Sequence, residues 1–395
     1  MTLPLTGLRI IAIEHWGAGP YGSGHLADLG ADVIKIENRH LGGDASRGAG
    51  PHFLGENDSH FFQTFNRNKR SLSLDLKQDE GQTVLHRLAN TADALLHNLR
   101  GDQAGKLGLT YADLSPYNPK IVCAHISAYG RDGERSAWPG FDYLMQAEAG
   151  FYSLTGEPEG PPARFGLSMV DFMTGATTST AVLAGILGAR ETGEGRDIDV
   201  TLYDVAMHQL TYPGVWYLNE EFVTERVARS GHPYAVPSQH YRTADGWILI
   251  MCQSQHFWET FCDLLKRSDL KEDTRFVGPQ ERYENRDALT PLLDEHLGNR
   301  ATADWIAVLG GQIPCAPVND IAQALDNPFF RDRGGVQEVP HPERPGFKLI
   351  ANPIRLDEPL PNRPGPQLGG DTDDILTELG YLDWEIDSLR GAGII

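Results

Sequence analysis

The sequence predicts an α/β fold, with a parallel sheet in a large first domain and a smaller α+β unit after it. Three features carry that expectation. A βαβ pattern opens the chain, strand-like and helix-like runs then alternate to about residue 212, and the later chain changes to amphipathic helices beside a hairpin. In the first feature, "GLRIIAIE" is a short apolar run bounded by Gly7 and the cluster "GAGPYG", which fits a buried strand entering a tight turn. "YGSGHLADLG" follows with helical spacing and stops at Gly30, and "ADVIKIE" is again β-branched, so residues 8–37 make a βαβ unit.

Further along, "SLSLDL" and "KIVCAHISAYG" read as strands with the helix "GQTVLHRLANTA" between them. In "GRDIDVTLYD", Ile198, Val200 and Leu202 face one way and Asp197, Asp199 and Thr201 the other, the mark of a strand near a sheet edge. Residues 1–212 form the N-terminal part of the large domain on this reading. Weak periodicity with several Pro and Gly makes 213–238 a linker. Residues 239–326 form the small domain, with strands around the Asp-Gly turn of "HYRTADGWILIMC" and helices in "HFWETFCDLLKR", "RDALTPLLDEHLG" and "TADWIAVLGG". From 327 to 395 proline and glycine dominate up to Gly370. Two short helices, "DDILTELG" and "DWEIDSLRG", then return the chain to the large domain.

A chain of 395 residues with formal charge −20 has ample core but no net basic face for nucleic acid or an anionic membrane. Any anionic ligand must find local cations. Cys123, Cys252, Cys262 and Cys315 show no CxxC spacing and read as reduced thiols, so the cytoplasm is the expected compartment. The apolar run near the start lacks a basic region before it, and no segment is expected to reach a membrane-spanning length.

Two readings compete at the first turn. Gly17, Gly19 and Gly22 satisfy GxGxxG, and Glu37 ends the next strand about twenty residues on, as an NAD site requires. Against that reading, Pro20 lacks an amide inside the motif. No HExxH, HxxxH, GxSxG or Walker pattern occurs, so no metal site is expected. More telling, Arg39, Lys77, Asn98, Arg100 and Lys106 all follow predicted strand ends, where an open α/β sheet places its ligand crevice and cations would gather an anionic cofactor. Between Leu167 and Arg190 the only acid is Asp171. It suits a helix N-cap, and the same carboxylate suits a nucleophile held ionised by the helix start.

The blocks "AGPYGSGHLADLGADVIKIE", "NRNKRSLSLDLK", "HNLRGDQAGKLGL", "WPGFDYLMQAEAGFYSLTG", "VDFMTGATTSTAVLAGILGARETGEGRDIDVTLYD", "ENRDALTPLLDEHL", "IPCAPVNDIAQAL" and "LGGDTDDILTELGY" resemble, in order, those of the family III CoA-transferases. The resemblance implies a Rossmann-like large domain that binds CoA and a homodimer whose chains interlock. It implies that Asp171 is the catalytic carboxylate and that Asp142 lies beside the reacting thioester. It places His15, Ala18, Arg39, the Leu74 to Lys77 segment, Asn98, Arg100, Lys106 and Tyr129 along the CoA site. The substrates it implies are an acyl-CoA such as succinyl-CoA and a small carboxylic acid, with short dicarboxylates common among its members. The intermediates would be an aspartyl anhydride and an aspartyl-CoA thioester.

Ala49 after "GDASRG", "MCQSQHFW" in the small domain and Ser127 before "YG" depart from the formyl-CoA:oxalate branch and speak against formyl and oxalyl substrates. The racemase branch resembles this chain too, but it carries a histidine before the acid equivalent to Asp142, where this chain has Phe141. Phenylalanine cannot act as the second base of α-proton exchange, so transfer is favoured over racemisation. A non-catalytic CoA-binding protein would need no acid at Asp171.

Overall fold

The computed structural model describes residues 2–395. One unit comprises Met1–Ala149, Gly166–Leu210 and Arg331–Ile395, and a second comprises Gly150–Phe165 and Thr211–Phe330. The segment read as a linker from residue 213 starts inside a helix, Thr211–Glu220, none of whose side chains is buried. With no face against a core, it has no apolar period to detect.

The first unit is built on six strands: β1 (Arg9–Ile13), β2 (Asp32–Glu37), β3 (Arg70–Ser73), β4 (Ala94–His97), β5 (Val122–Ser127) and β6 (Arg196–Thr201). All pair in parallel, in the order β3-β2-β1-β4-β5-β6. The order reverses between β1 and β4, where Ile11 sits beside both Ile34 and Leu95. That reversal opens a crevice at the carboxyl ends of the two strands. Central strands are buried on both faces and read as continuous apolar runs, whereas β6 at the edge is exposed or half-buried from Arg196 to Asp199, buries only Val200 and Thr201, and pairs Asp199 with Arg131 at 2.6 Å. Leu202, read as the end of that strand, instead starts the helix Leu202–His208, capped by the Thr201 hydroxyl.

Helices in the first unit include α1 (Ala18–Asp28), α2 (His60–Asn66), α3 (Asp79–Ala89), α4 (Tyr111–Leu114), α5 (Asp142–Glu148) and α6 (Met169–Thr192). At 24 residues α6 is long and apolar enough to cross a membrane by length and composition, which corrects the expectation that no segment reaches that length. Its small residues have another use. A Cβ added to Gly22 of α1 would lie 2.5 Å from the Gly175 carbonyl of α6, and Ser179 donates to the Gly22 carbonyl at 2.9 Å. The two helices therefore touch backbone to backbone, which fixes the head of α6 against the head of α1.

The proline-rich stretch after Asn327 holds an antiparallel ribbon, Val336–His341 with Arg344–Ile350, rather than only extended chain. Both its strands are edges, where proline is tolerated, and Val339, Phe347 and Leu349 bury against Leu54. The second unit contains antiparallel strands Ser238–Arg242, Trp247–Met251 and Cys315–Pro317. Helices Gln255–Leu265, Arg286–Leu297 and Thr302–Leu309 enclose its core around Trp258, Phe261, Leu293 and Trp305.

Candidate active site

The loop from β1 to α1 is held from three sides. Asn98, just after β4, accepts the His15 N–H at 2.8 Å and donates to the His15 carbonyl at 2.6 Å. Its amide oxygen and one N–H are thus engaged by the main chain, which fixes Asn98 on the wall of the crevice. Trp16 adopts φ of 63° and donates its N–H to Asp44 at 3.2 Å. Lys35, buried on β2, lies 2.9 Å from Asp44 and donates to the Glu14 carbonyl at 2.8 Å.

At the head of α6, Asp171 is the third residue of the helix and Ser168 holds the N-cap position without a side-chain cap bond. Asp171 is therefore not the cap that its residue type first implied. Its N–H, one of the donors a helix start leaves unsatisfied, donates to Asp142 Oδ2 at 3.0 Å, and Gln146 donates to Asp142 Oδ1 at 2.5 Å. The Asp171 carboxylate accepts no hydrogen bond among the described residues and lies beside Gly17, where an added Cβ would stand 2.7 Å from Oδ2. A side chain at Gly17 would have to displace that carboxylate. Burial, aided by the nearby charge of Asp142, pushes the Asp171 carboxyl up to about 7, so the helix start does not keep it fully ionised and about half carries the charge at neutral pH.

His15, Ala18, Asn98, Arg100 and Asp171 come together around one cavity of about 110 Å³ at the switch point. Asp142 is buried behind it, bonded to the Asp171 N–H rather than lining the cavity itself. Arg39 lines a different hollow of about 230 Å³ together with Ser73, Asp373 and Arg390. Leu74 is buried in the core, leaving only its backbone for a ligand. Lys77 is exposed after β3, Lys106 pairs with Asp102 at 2.6 Å, and Tyr129 donates to Glu148 at 2.8 Å. These five lie off the cavity, yet each follows the carboxyl end of its strand. Burial pushes the His15 imidazole below its ordinary value, with Lys35 adding to the effect.

Trp16, Trp138 and Phe141, which the sequence reading did not single out as a lining, form much of the cavity wall. Ser127 also faces it and closes the following turn by accepting the Gly130 N–H at 2.9 Å.

The NAD reading fails on the same geometry. Glu37, the acid a ribose would need, is buried and held by Arg47 through bonds of 2.8 and 2.7 Å and by Ser71 at 2.6 Å. Gly22 serves the helix crossing and Gly17 makes room for Asp171.

A six-stranded parallel sheet with a carboxylate lacking a hydrogen-bond donor beside a cavity at its switch point is the arrangement of an α/β enzyme. The model of CoA-transferase family III matches residues 5–372, and the chain belongs to that family. It is 32% identical over 388 residues to a succinate–glutarate CoA-transferase of Agrobacterium fabrum, covering 96% of each chain. It is also 32% identical to an acetyl-CoA:oxalate CoA-transferase of Acetobacter aceti, covering 92% of each. Among solved structures, a CaiB/BaiF family protein from Brucella suis superposes with a TM-score of 0.84 at 31% identity, covering 96% of this chain and all of that one.

Proposed function

We propose that the protein moves CoA from an acyl-CoA to a free carboxylic acid through covalent steps on Asp171. The observation that carries this reading is a half-buried carboxylate without a hydrogen-bond donor, lodged against Gly17 at the switch point. Asp171 in its ionised form attacks the thioester carbonyl, the C–S bond breaks, and CoA leaves as the thiolate while a mixed anhydride forms. The thiolate then attacks the aspartyl carbonyl of that anhydride, releasing the donor acid and leaving an aspartyl-CoA thioester. The acceptor acid runs the same two steps backwards, so neither water nor a net proton is consumed.

Asp142 holds the Asp171 main chain through its amide, and Ala18 places a first-turn amide of α1 on the cavity where an oxyanion develops. Arg39, Lys77, Arg100 and Lys106, each beyond a strand end, supply the cations for the CoA phosphates. Leu74 contributes backbone to that track, and Tyr129 stands at its β5 end. A homodimer with interlocked chains is part of this reading, and it rests on the family resemblance.

Acetyl-CoA and succinyl-CoA are the donors to try, each with a set of acids and mass-spectrometric detection of the new acyl-CoA. Hydroxylamine added with donor alone should leave a hydroxamate on the peptide spanning Asp171. Donor-dependent exchange of the α-hydrogen with deuterated solvent, without that adduct, would overturn transfer in favour of racemisation.

A further inference from the structure

We infer that Trp16 determines acyl-group specificity, forming with Trp138 and Phe141 an aromatic wall beside Asp171 that selects acids carrying an apolar or aromatic group over short dicarboxylates. The inference rests on the proposed transfer chemistry, because donor and acceptor acids each form a mixed anhydride with the same carboxylate and so place their substituents against the same wall.

Three observations carry it. First, Trp16 is held at φ of 63°, a region that bulky side chains rarely occupy. The strain persists because the surroundings over-determine it: Asp44 accepts its N–H, and Asn98 clamps the His15 main chain on both sides. Second, the ring is exposed by 41% and edge-on to Phe61 at 6.0 Å, while Trp138 and Phe141 on the same cavity are exposed by 49% and 62%. Third, fixed cations are scarce on this lining. Of the lining residues only Arg100 is a fixed cation, and it stands 3.5 Å from Asp102. Arg135, whose guanidinium lies 4.8 Å from the Trp138 ring, pairs with Glu148, and Arg131 pairs with Asp199. A second carboxylate beside Asp171 would meet mainly aromatic faces and Asp171 itself, with Arg100 the one fixed cation on the lining to offset its desolvation. An aryl or branched alkyl group would gain ring contacts in the same place.

The test is a competition among acids of similar size, phenylacetate, 3-phenylpropionate and isovalerate against succinate and glutarate, with acetyl-CoA as donor in wild type, Trp16→Gly and Trp16→Phe. Glycine accepts the positive φ, so the loop is relieved rather than strained by the first change. The expected result is wild-type preference for the apolar acids, a fall of roughly 10-fold or more in the apolar-to-dicarboxylate ratio of kcat/KM for Trp16→Gly, and substantial recovery in Trp16→Phe. A wild-type preference for succinate or glutarate overturns the inference, as does a Trp16→Gly variant that slows every acid equally. Hydroxamate trapping at Asp171 is scored alongside: an adduct with the wrong acid preference defeats the specificity inference alone, whereas no adduct and no transfer defeats the transferase reading and this inference with it.

Discussion

Two sets of buried acids lie at the same end of the sheet and behave in opposite ways. Glu14, Glu37 and Asp44 are almost fully buried, and burial pushes each carboxyl upward. Their cations outweigh it. Lys69 at 2.7 Å and Lys35 hold Glu14 below its ordinary value, Arg47 does so for Glu37, and Lys35 for Asp44. Asp171 is less buried, yet it moves the other way because its one charged neighbour among the causes is another acid. Burial alone therefore does not mark a reactive carboxylate; burial without a counter-charge does. The paired set fixes the β1–α1 loop, and the unpaired acid is left at its open side.

The largest effect that tests this contrast is on Asp171 itself. Asp171→Asn should lower transfer by about 10⁴-fold or more, since it keeps the shape and removes the nucleophile, and hydroxamate trapping should vanish with it. The same change should stabilise the fold. A carboxyl raised from 3.8 to about 7 lets the native state bind more protons than the unfolded chain in that interval, so stability falls as pH rises through it and stays low above. Asn removes that cost, which has a ceiling of about 4 kcal/mol at pH 8 at ~1.4 kcal/mol per pH unit, and the gain should disappear near pH 4. Urea unfolding at both pH values measures it. A destabilised Asp171→Asn at pH 8, or near-normal turnover, breaks the comparison.

The second effect comes from the paired set. Asp44→Ala should cost about 3–5 kcal/mol in urea unfolding because it leaves the Lys35 ammonium buried without its nearest counter-charge, with the Glu14 carboxylate 3.6 Å away and the weaker influence of Glu37 in its place. It also removes the acceptor for the Trp16 N–H. Loss of activity should therefore accompany loss of stability here, whereas the two move in opposite directions for Asp171→Asn. An Asp44→Ala protein as stable as wild type would mean that the buried pairs do not hold the loop.

What could be read from sequence followed from how local each feature is. The βαβ start, the Arg196–Thr201 edge strand and the amphipathic helices Gln255–Leu265 and Thr302–Leu309 have periods set by neighbours a few residues apart, and they stand where the pattern puts them. β4 is only Ala94–His97, four buried residues with no period of their own, and the sequence marks it chiefly by the polar run that follows, yet it forms one wall of the switch point. Asp171 was visible as the lone acid in an apolar helix. Its raised carboxyl was not, because that depends on Asp142, twenty-nine residues earlier, and on the close crossing of α1 with α6. The cations after strand ends were legible as a set by topology. That Asn98 is engaged by the His15 main chain, and that Trp16 is held by Asp44, required the folded neighbours that no local pattern encodes.

The smallest expected effect separates the two causes acting on Asp171. Attack requires its ionised form, so kcat/KM for the acyl-CoA donor should rise with pH through a midpoint near 7 and level off above it. Asp142→Asn removes the second cause, the neighbouring charge, while an amide oxygen can still accept the Asp171 N–H. The midpoint should then move to lower pH, but it should stop above the ordinary carboxylate value because burial, the larger cause, is untouched. Asp142→Ala removes charge and acceptor together, so its midpoint should shift in the same direction and its plateau should fall further than that of the Asn variant, since the head of α6 loses the bond that positions it. A profile whose midpoint ignores both substitutions would assign the ionisation to another group. A midpoint that rises would mean that Asp142 is protonated beside an ionised Asp171, reversing which of the two acids carries the charge.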